Sequence, residues 1–243
     1  MSQESHSQKT KASLLGAAVG GGVIASILTA GFLFLAAPQW LGPRIVREGI
    51  IRQPQVLIEG QEALREQQYA PILDANRAAL ETPFASSWKG AAKPDVTLAY
   101  FYDYACGYCR RSNPDIERLI SEDKGLRVVY REFPILGQAS VAAARASLAA
   151  SRTGKFATFH DALYRAGNPT SETLALAANA SGITPEQARD PAIDAEIENN
   201  YRMAGQLGAS GTPLFVIGNQ VINSAVGYDA LKEAVAKARA AKG

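Results

Sequence analysis

Apolar and polar positions divide this chain into three stretches of different character. Residues 12–43 carry no charge, and Leu14 to Ala37 is a run of Leu, Ile, Val, Phe, Ala and Gly interrupted only by Ser26 and Thr29. Such a run is long enough to span a bilayer and too long for the apolar region of a cleaved signal peptide. It predicts an uncleaved transmembrane signal anchor over 13–38 behind a short cytoplasmic tail, 1–12. Residues 43–83 are polar and helix-favouring, with apolar positions at Ile45, Val46, Ile50, Val56, Leu57, Leu64, Ile72, Leu73 and Leu80. Leu57 to Leu64 and Leu73 to Leu80 are heptad steps, but Pro54, Gly60 and Pro71 interrupt a continuous heptad. The pattern predicts a helical stalk or an oligomerisation arm.

From Phe84 onward the pattern changes to short β-branched and aromatic runs alternating with helical ones. Val96–Tyr102, Val128–Pro134, Leu214–Ile217 and Gln220–Asn223 read as strands; Arg110–Ile120 and Tyr228–Ala241 read as helices. Between Gly137 and Gly208 the chain is alanine-rich and helical, with breaks at Gly154, Asn168-Pro169, Ser181-Gly182 and Asp190-Pro191. The net charge is +2, from 25 basic and 23 acidic residues, so no basic stripe for nucleic acid is implied.

The chemistry rests on Cys106-Gly107-Tyr108-Cys109, which contains both cysteines of the chain. The motif follows the Val96–Tyr102 strand and opens a helix. Cys106 therefore faces the unpaired amides and positive dipole of the first helical turn, which favour a thiolate. Cys109, one turn on, is within reach of a mixed disulfide formed at Cys106. Cys106 is expected to be the nucleophile, Cys109 the resolving thiol, and Gly107 and Tyr108 the spacer that tunes them. Structural zinc would need further ligands, and only His6 and His160 remain. A Cu(I)-binding dithiol is an alternative, since soft thiolates select that ion. No resident metal or cofactor is expected. Arg110 and Arg111 read as solvated charges or as aids to the thiolate, and His160 as helix packing. Asp103 reads as a turn residue at the strand end or a proton-transfer partner of Cys109.

Phe101-Tyr-Asp-Tyr-Ala-Cys106-Gly-Tyr-Cys109-Arg-Arg-Ser-Asn-Pro114 resembles the active-site segment of DsbA-family thioredoxin-fold proteins, and Gly211-Thr212-Pro213 before a strand is similar to their second marker. The resemblance implies an α/β thioredoxin-like fold over 84–243 with a helical domain inserted at about 138–208, preceded by the transmembrane helix and stalk. It implies a cis Thr212–Pro213 bond facing the dithiol, with Thr212 and Pro213 binding extended substrate. Gln53 to Arg65 resembles the N-terminal region of the ScsC (suppressor of copper sensitivity) branch, which implies a homo-oligomer through 43–83.

Together these readings give a protein thiol–disulfide oxidoreductase held by a single-pass anchor in a bacterial inner membrane, its catalytic domain in the oxidising periplasm. Its expected partners are proteins with cysteines and a membrane redox protein. Disulfide isomerase or reductase is the expected direction. DsbA itself has proline and histidine between its cysteines, and Tyr108 supplies no cation. A dithiol oxidase is the alternative.

Overall fold

The computed structural model describes residues 31–32 and 37–241. The anchor expected over 13–38 falls almost wholly outside the described residues. Among the described residues no helix is long and apolar enough to cross a membrane. The chain forms two compact units, residues 1–63 and 64–243.

In the first unit, α1 (Ala37–Arg52) carries exposed Val46 and Ile51 and an Arg52–Glu48 ion pair of 2.7 Å one turn apart. A break at Gln53-Pro54 separates it from α2 (Gln55–Glu81), whose first residues expose Val56, Leu57 and Ile58. Pro54 thus stops a helix as expected, whereas Gly60 and Pro71 lie inside α2. Pro71 removes one donor, and the Gln, Glu, Ala, Leu and Arg around it favour helix enough to carry the chain through.

The second unit is built on a five-stranded mixed sheet, β1 (Trp88–Gly90), β2 (Val96–Tyr102), β3 (Leu126–Glu132), β4 (Leu214–Ile217) and β5 (Gln220–Ile222), in the order β1-β3-β2-β4-β5. β2 and β3 run parallel, Tyr100 opposite Tyr130 and Tyr102 opposite Glu132; the other pairs are antiparallel. The crossover between β2 and β3 is α3 (Gly107–Glu122), and α8 (Tyr228–Ala240) follows β5. Four helices lie between β3 and β4: α4 (Gln138–Arg152), α5 (Phe156–Ala166), α6 (Ser171–Ser181) and α7 (Pro191–Gln206). Their punctuation follows the sequence. Thr170 and Thr173 cap the start of α6 reciprocally, Gly182 ends it in the left-handed region at φ 69°, and Asp190 caps α7 with Pro191 at its first position.

Every residue of β2 is buried, because both sheet faces are covered. Leu98, Tyr100 and Tyr102 enter one core with Leu126, Val128, Tyr130, Ile116, Phe159 and Leu231. Ala99 and Phe101 enter a second with Leu73 and Leu80 of α2, Met203 of α7, and Leu214 and Val216. The C-terminal half of α2 is therefore built into the domain, and the compact unit starts at Leu64.

Arg131 fastens this second layer. Its guanidinium, buried on β3, donates to the carbonyls of Ala79, Leu80 and Thr82 at the end of α2 and to Glu196 of α7 at 2.7 Å. It satisfies carbonyls that the helix end leaves unpaired. Burial outweighs pairing for both charges, holding the Arg131 pKa below its usual value and the Glu196 pKa above it. The ion pair is thus a lock whose halves are costly apart. Arg131→Met is expected to lower unfolding free energy by about 3–5 kcal/mol in urea titrations, because Glu196 is left buried without its cation. Adding Glu196→Leu should recover part of the loss, and a single variant as stable as the parent would disprove the lock.

Candidate active site

The end of β2 delivers the chain to α3 through a turn held by Asp103. This carboxylate is buried; one oxygen accepts the Ala105 amide at 2.8 Å and the other the Leu136 amide at 2.9 Å. The Asp103 carbonyl accepts the Cys106 amide at 3.0 Å. Of the two readings of Asp103, the structure places it as the turn residue, tying the loop after β3 to the approach to α3. Cys106 is the N-cap residue, in extended conformation at φ −76° and ψ 117°, and the helix starts at Gly107.

Both cysteines are free thiols, and their surroundings differ sharply. Cys106 is 6% exposed and its sulfur lies 3.3 Å from the Thr212 carbonyl oxygen; Cys109 is 0% exposed. A hydrogen bond from the Cys109 side chain, with help from the Thr212 side chain and the Cys109 and Tyr108 backbone, outweighs partial burial and lowers the Cys106 pKa to about 5. Burial, followed by the hydrogen bond to Cys106, pushes the Cys109 thiol far up. One sulfur is a ready nucleophile at neutral pH, and the other keeps its proton. The Thr212–Pro213 peptide is cis and stands against Cys106, as the family resemblance implies. The Thr212 side chain is set against both sulfurs and favours the thiolate at each.

Beneath the dithiol lies a polar layer that sequence reading missed. The Tyr100 hydroxyl donates to the Cys109 carbonyl at 3.4 Å, and its ring stacks on Phe215 at 4.9 Å. The Tyr102 hydroxyl contacts the Glu132 carboxyl and lies 3.1 Å from the Tyr104 hydroxyl. Tyr104 is 3.0 Å from both Ser147 Oγ and His160 Nδ1, while His160 Nε2 is 3.2 Å from Asn113 Oδ1 on α3. Since that amide oxygen only accepts, the His160 proton is assigned to Nε2, and Nδ1 accepts from Tyr104. Burial pushes Glu132 well above the carboxylate range and His160 well below the imidazole range, favouring the neutral form of each. His160 is indeed helix packing, but in a fully buried hydrogen-bonded setting.

Arg110 and Arg111 part company. Arg110 donates to the carbonyls of Tyr164 and Gly167 at 2.8 and 2.7 Å, capping the end of α5. Arg111 is exposed, with its guanidinium 4.3 Å from the Tyr108 ring centroid. A charge pair adjacent in sequence gives no sign of this division, because the carbonyls that engage Arg110 come from more than 50 residues away.

The site makes a pH prediction. Cys106 should react with iodoacetamide along a titration centred near pH 5, with Cys109 inert in the folded protein. The Cys106 pKa is depressed on folding from an unfolded value of about 8.5. Between these values the unfolded state binds more protons, so the stability of the reduced protein should rise with pH over that window and be lost as pH falls through 5. Cys106→Ser should remove this slope in denaturant titrations. A midpoint above pH 8, or first labelling of Cys109, would overturn the assignment.

Residues 97–236 match the DSBA-like thioredoxin domain. Among solved structures, the chain is similar to a thioredoxin-like oxidoreductase from Silicibacter pomeroyi DSS-3, with 37% identity, a TM-score of 0.63, and coverage of 68% of this chain and 98% of that one. It is similar to a periplasmic thioredoxin-like protein from Salmonella enterica serovar Typhimurium, with 32% identity, a TM-score of 0.62, and coverage of 68% and 95%. Proteus mirabilis ScsC in a transitional conformation gives 26% identity and a TM-score of 0.65 over 85% of this chain and 97% of that one. The chain also spans about a quarter of the length of the curated relatives it matches, Na(+)/H(+) antiporters NhaA of Salinispora arenicola and Salinispora tropica. The fold, the free dithiol and the family match agree: the chain belongs to the DsbA-like thioredoxin family of thiol–disulfide oxidoreductases, with ScsC among its structural relatives.

Proposed function

We propose that this protein is a periplasmic disulfide isomerase or reductase, tethered to the inner membrane by residues 13–38, that acts on cysteine-containing proteins and is kept reduced by a membrane redox partner. The observation that carries the reading is the contrast between a Cys106 thiolate at pKa about 5 and a fully buried Cys109 thiol. The thiolate attacks a substrate disulfide, forming a Cys106–substrate disulfide and releasing one substrate thiolate. Two outcomes follow. The released thiolate can attack a second substrate disulfide, and the thiolate freed there then attacks the substrate sulfur bonded to Cys106, forming a new substrate disulfide and expelling the Cys106 thiolate, which is isomerisation. Alternatively Cys109 loses its proton, attacks Cys106 and leaves a Cys106–Cys109 disulfide with the substrate reduced. Thr212 and Pro213 line the face that meets the substrate, and Gly107 and Tyr108 shape its rim. The oxidising compartment fits the periplasmic description of the Salmonella relative.

A second reading, dithiol oxidase, draws on the same thiolate, because a stabilised reduced form makes the disulfide a better oxidant. The exposed Val46, Ile51, Val56, Leu57 and Ile58 favour isomerase, since a self-associating arm would gather several dithiols around one misfolded substrate.

Two measurements test this. Cys109→Ala should accumulate mixed disulfides with substrate proteins, visible as reducible adducts on gels, because the resolving thiol is gone. A soluble chain beginning at Pro43 should sediment as an oligomer and refold scrambled ribonuclease, whereas one beginning at Leu64 should be a folded monomer that still reduces insulin but isomerises at least several-fold more slowly. A monomeric longer chain with a reduction potential near that of DsbA, about −120 mV, would select the oxidase.

A further inference from the structure

Arg111 is the one member of the arginine pair beside the dithiol with no internal task. Arg110 is consumed by backbone carbonyls, whereas Arg111 forms no ion pair or hydrogen bond among the described residues. Its position is nevertheless defined. The guanidinium lies 4.3 Å from the centroid of the Tyr108 ring, itself 59% exposed, and its Nη1 is 3.7 Å from where a Cβ would stand on Gly107. Gly107 follows Cys106 directly, so this cation rests over the first turn of α3 at the rim of the nucleophile. Stacking limits the rotamers of both long side chains and leaves the N–H edge of the guanidinium free, the geometry that grips a carboxylate in two hydrogen bonds.

We infer that Tyr108 and Arg111 form a selectivity element that directs Cys106 to peptide disulfides flanked by an acidic residue. The inference rests on the exchange reaction proposed above. In that step the Cys106 thiolate forms a bond to one substrate sulfur and the substrate S–S bond breaks. The electron pair departs with the leaving sulfur, which takes a proton from water according to its own pKa. A carboxylate beside the attacked sulfur repels an incoming thiolate. Arg111, whose guanidinium lies against Gly107 next to the nucleophile, offsets that repulsion and orients the substrate strand, and a basic flank meets a like charge instead. This gives the Gly-Tyr spacer a role of its own. The guanidinium lies close over Gly107, and Tyr108 holds it in place.

The test uses the reduced full chain in detergent and three peptide disulfides that differ only in the residue next to cysteine: Glu, Gln or Lys. At low ionic strength the Glu peptide should exchange about fivefold faster than the Lys peptide, the range of an exposed charge-assisted pair. The ratio should shrink in about 0.5 M salt, where the screening length falls to a few ångströms. Arg111→Gln should bring the three rates together, and Arg111→Lys should retain part of the preference without the stacked geometry. Equal rates in the parent, or a preference that survives Arg111→Gln, would overturn the inference. So would a uniform slowing of all three peptides with an upward shift of the Cys106 alkylation midpoint, which would make Arg111 an aid to the thiolate. Absence of exchange with every peptide would instead overturn the oxidoreductase reading, and this one with it.

Discussion

Two thiols one helical turn apart would titrate alike in water, and everything in this domain serves to make them differ. The start of α3 holds Cys106, still 6% exposed, among donors, and the sheet, α3 and the inserted helices exclude water from Cys109. The asymmetry needs a strand to end at one exact place, and that place is set from both sides. Asp103 anchors the turn to the amide of Leu136, and the Thr212 segment approaches from β4. Neither contact is local, so the redox character of the pair belongs to the packed domain.

The ground beneath the dithiol combines phenols, a carboxyl and an imidazole in a buried layer. Such a layer is tolerable because burial favours the neutral forms of Glu132 and His160 and because the groups are hydrogen-bonded to one another. Tyr100, Tyr102 and Tyr104 supply rings that pack as core and hydroxyls that reach Cys109, Glu132 and His160. The other face of the sheet is governed by a charge, Arg131, which joins α2, β3 and α7. One face is therefore a buried polar layer under the chemistry, and the other is apolar with the Arg131 clamp joining its layers.

Local signals in the chain carry far. The β-branched and aromatic runs of β2 and β3, the glycine and proline punctuation of the inserted helices, and the placement of Cys106 at a helix start all follow from steric and hydrogen-bonding rules that act within a few residues. The alternation of strands and helices was legible for that reason, and the resemblance of the CxxC and Thr212-Pro213 motifs to the DsbA family implied the thioredoxin-like arrangement. The same reasoning placed Thr97, Ala99 and Phe101 in a strand but gave no hint of what covers their face. That cover includes Leu73 and Leu80, from a helix that reads as a stalk because its heptads look broken.

By itself the sequence determined the types of most elements and the position of Cys106 at a helix start with Cys109 one turn on, because these are encoded by neighbours in the chain, whereas the pairing of the CxxC motif with Thr212-Pro213 was implied by the family resemblance. Only tertiary structure decided the partners of Arg110, Arg131 and His160, the burial that favours a neutral Glu132, and the placing of Arg111 against Tyr108. Those properties depend on burial and on carbonyls, amides and carboxyls brought together from distant segments, and a side chain's charge and hydrogen bonds are settled by what surrounds it in space.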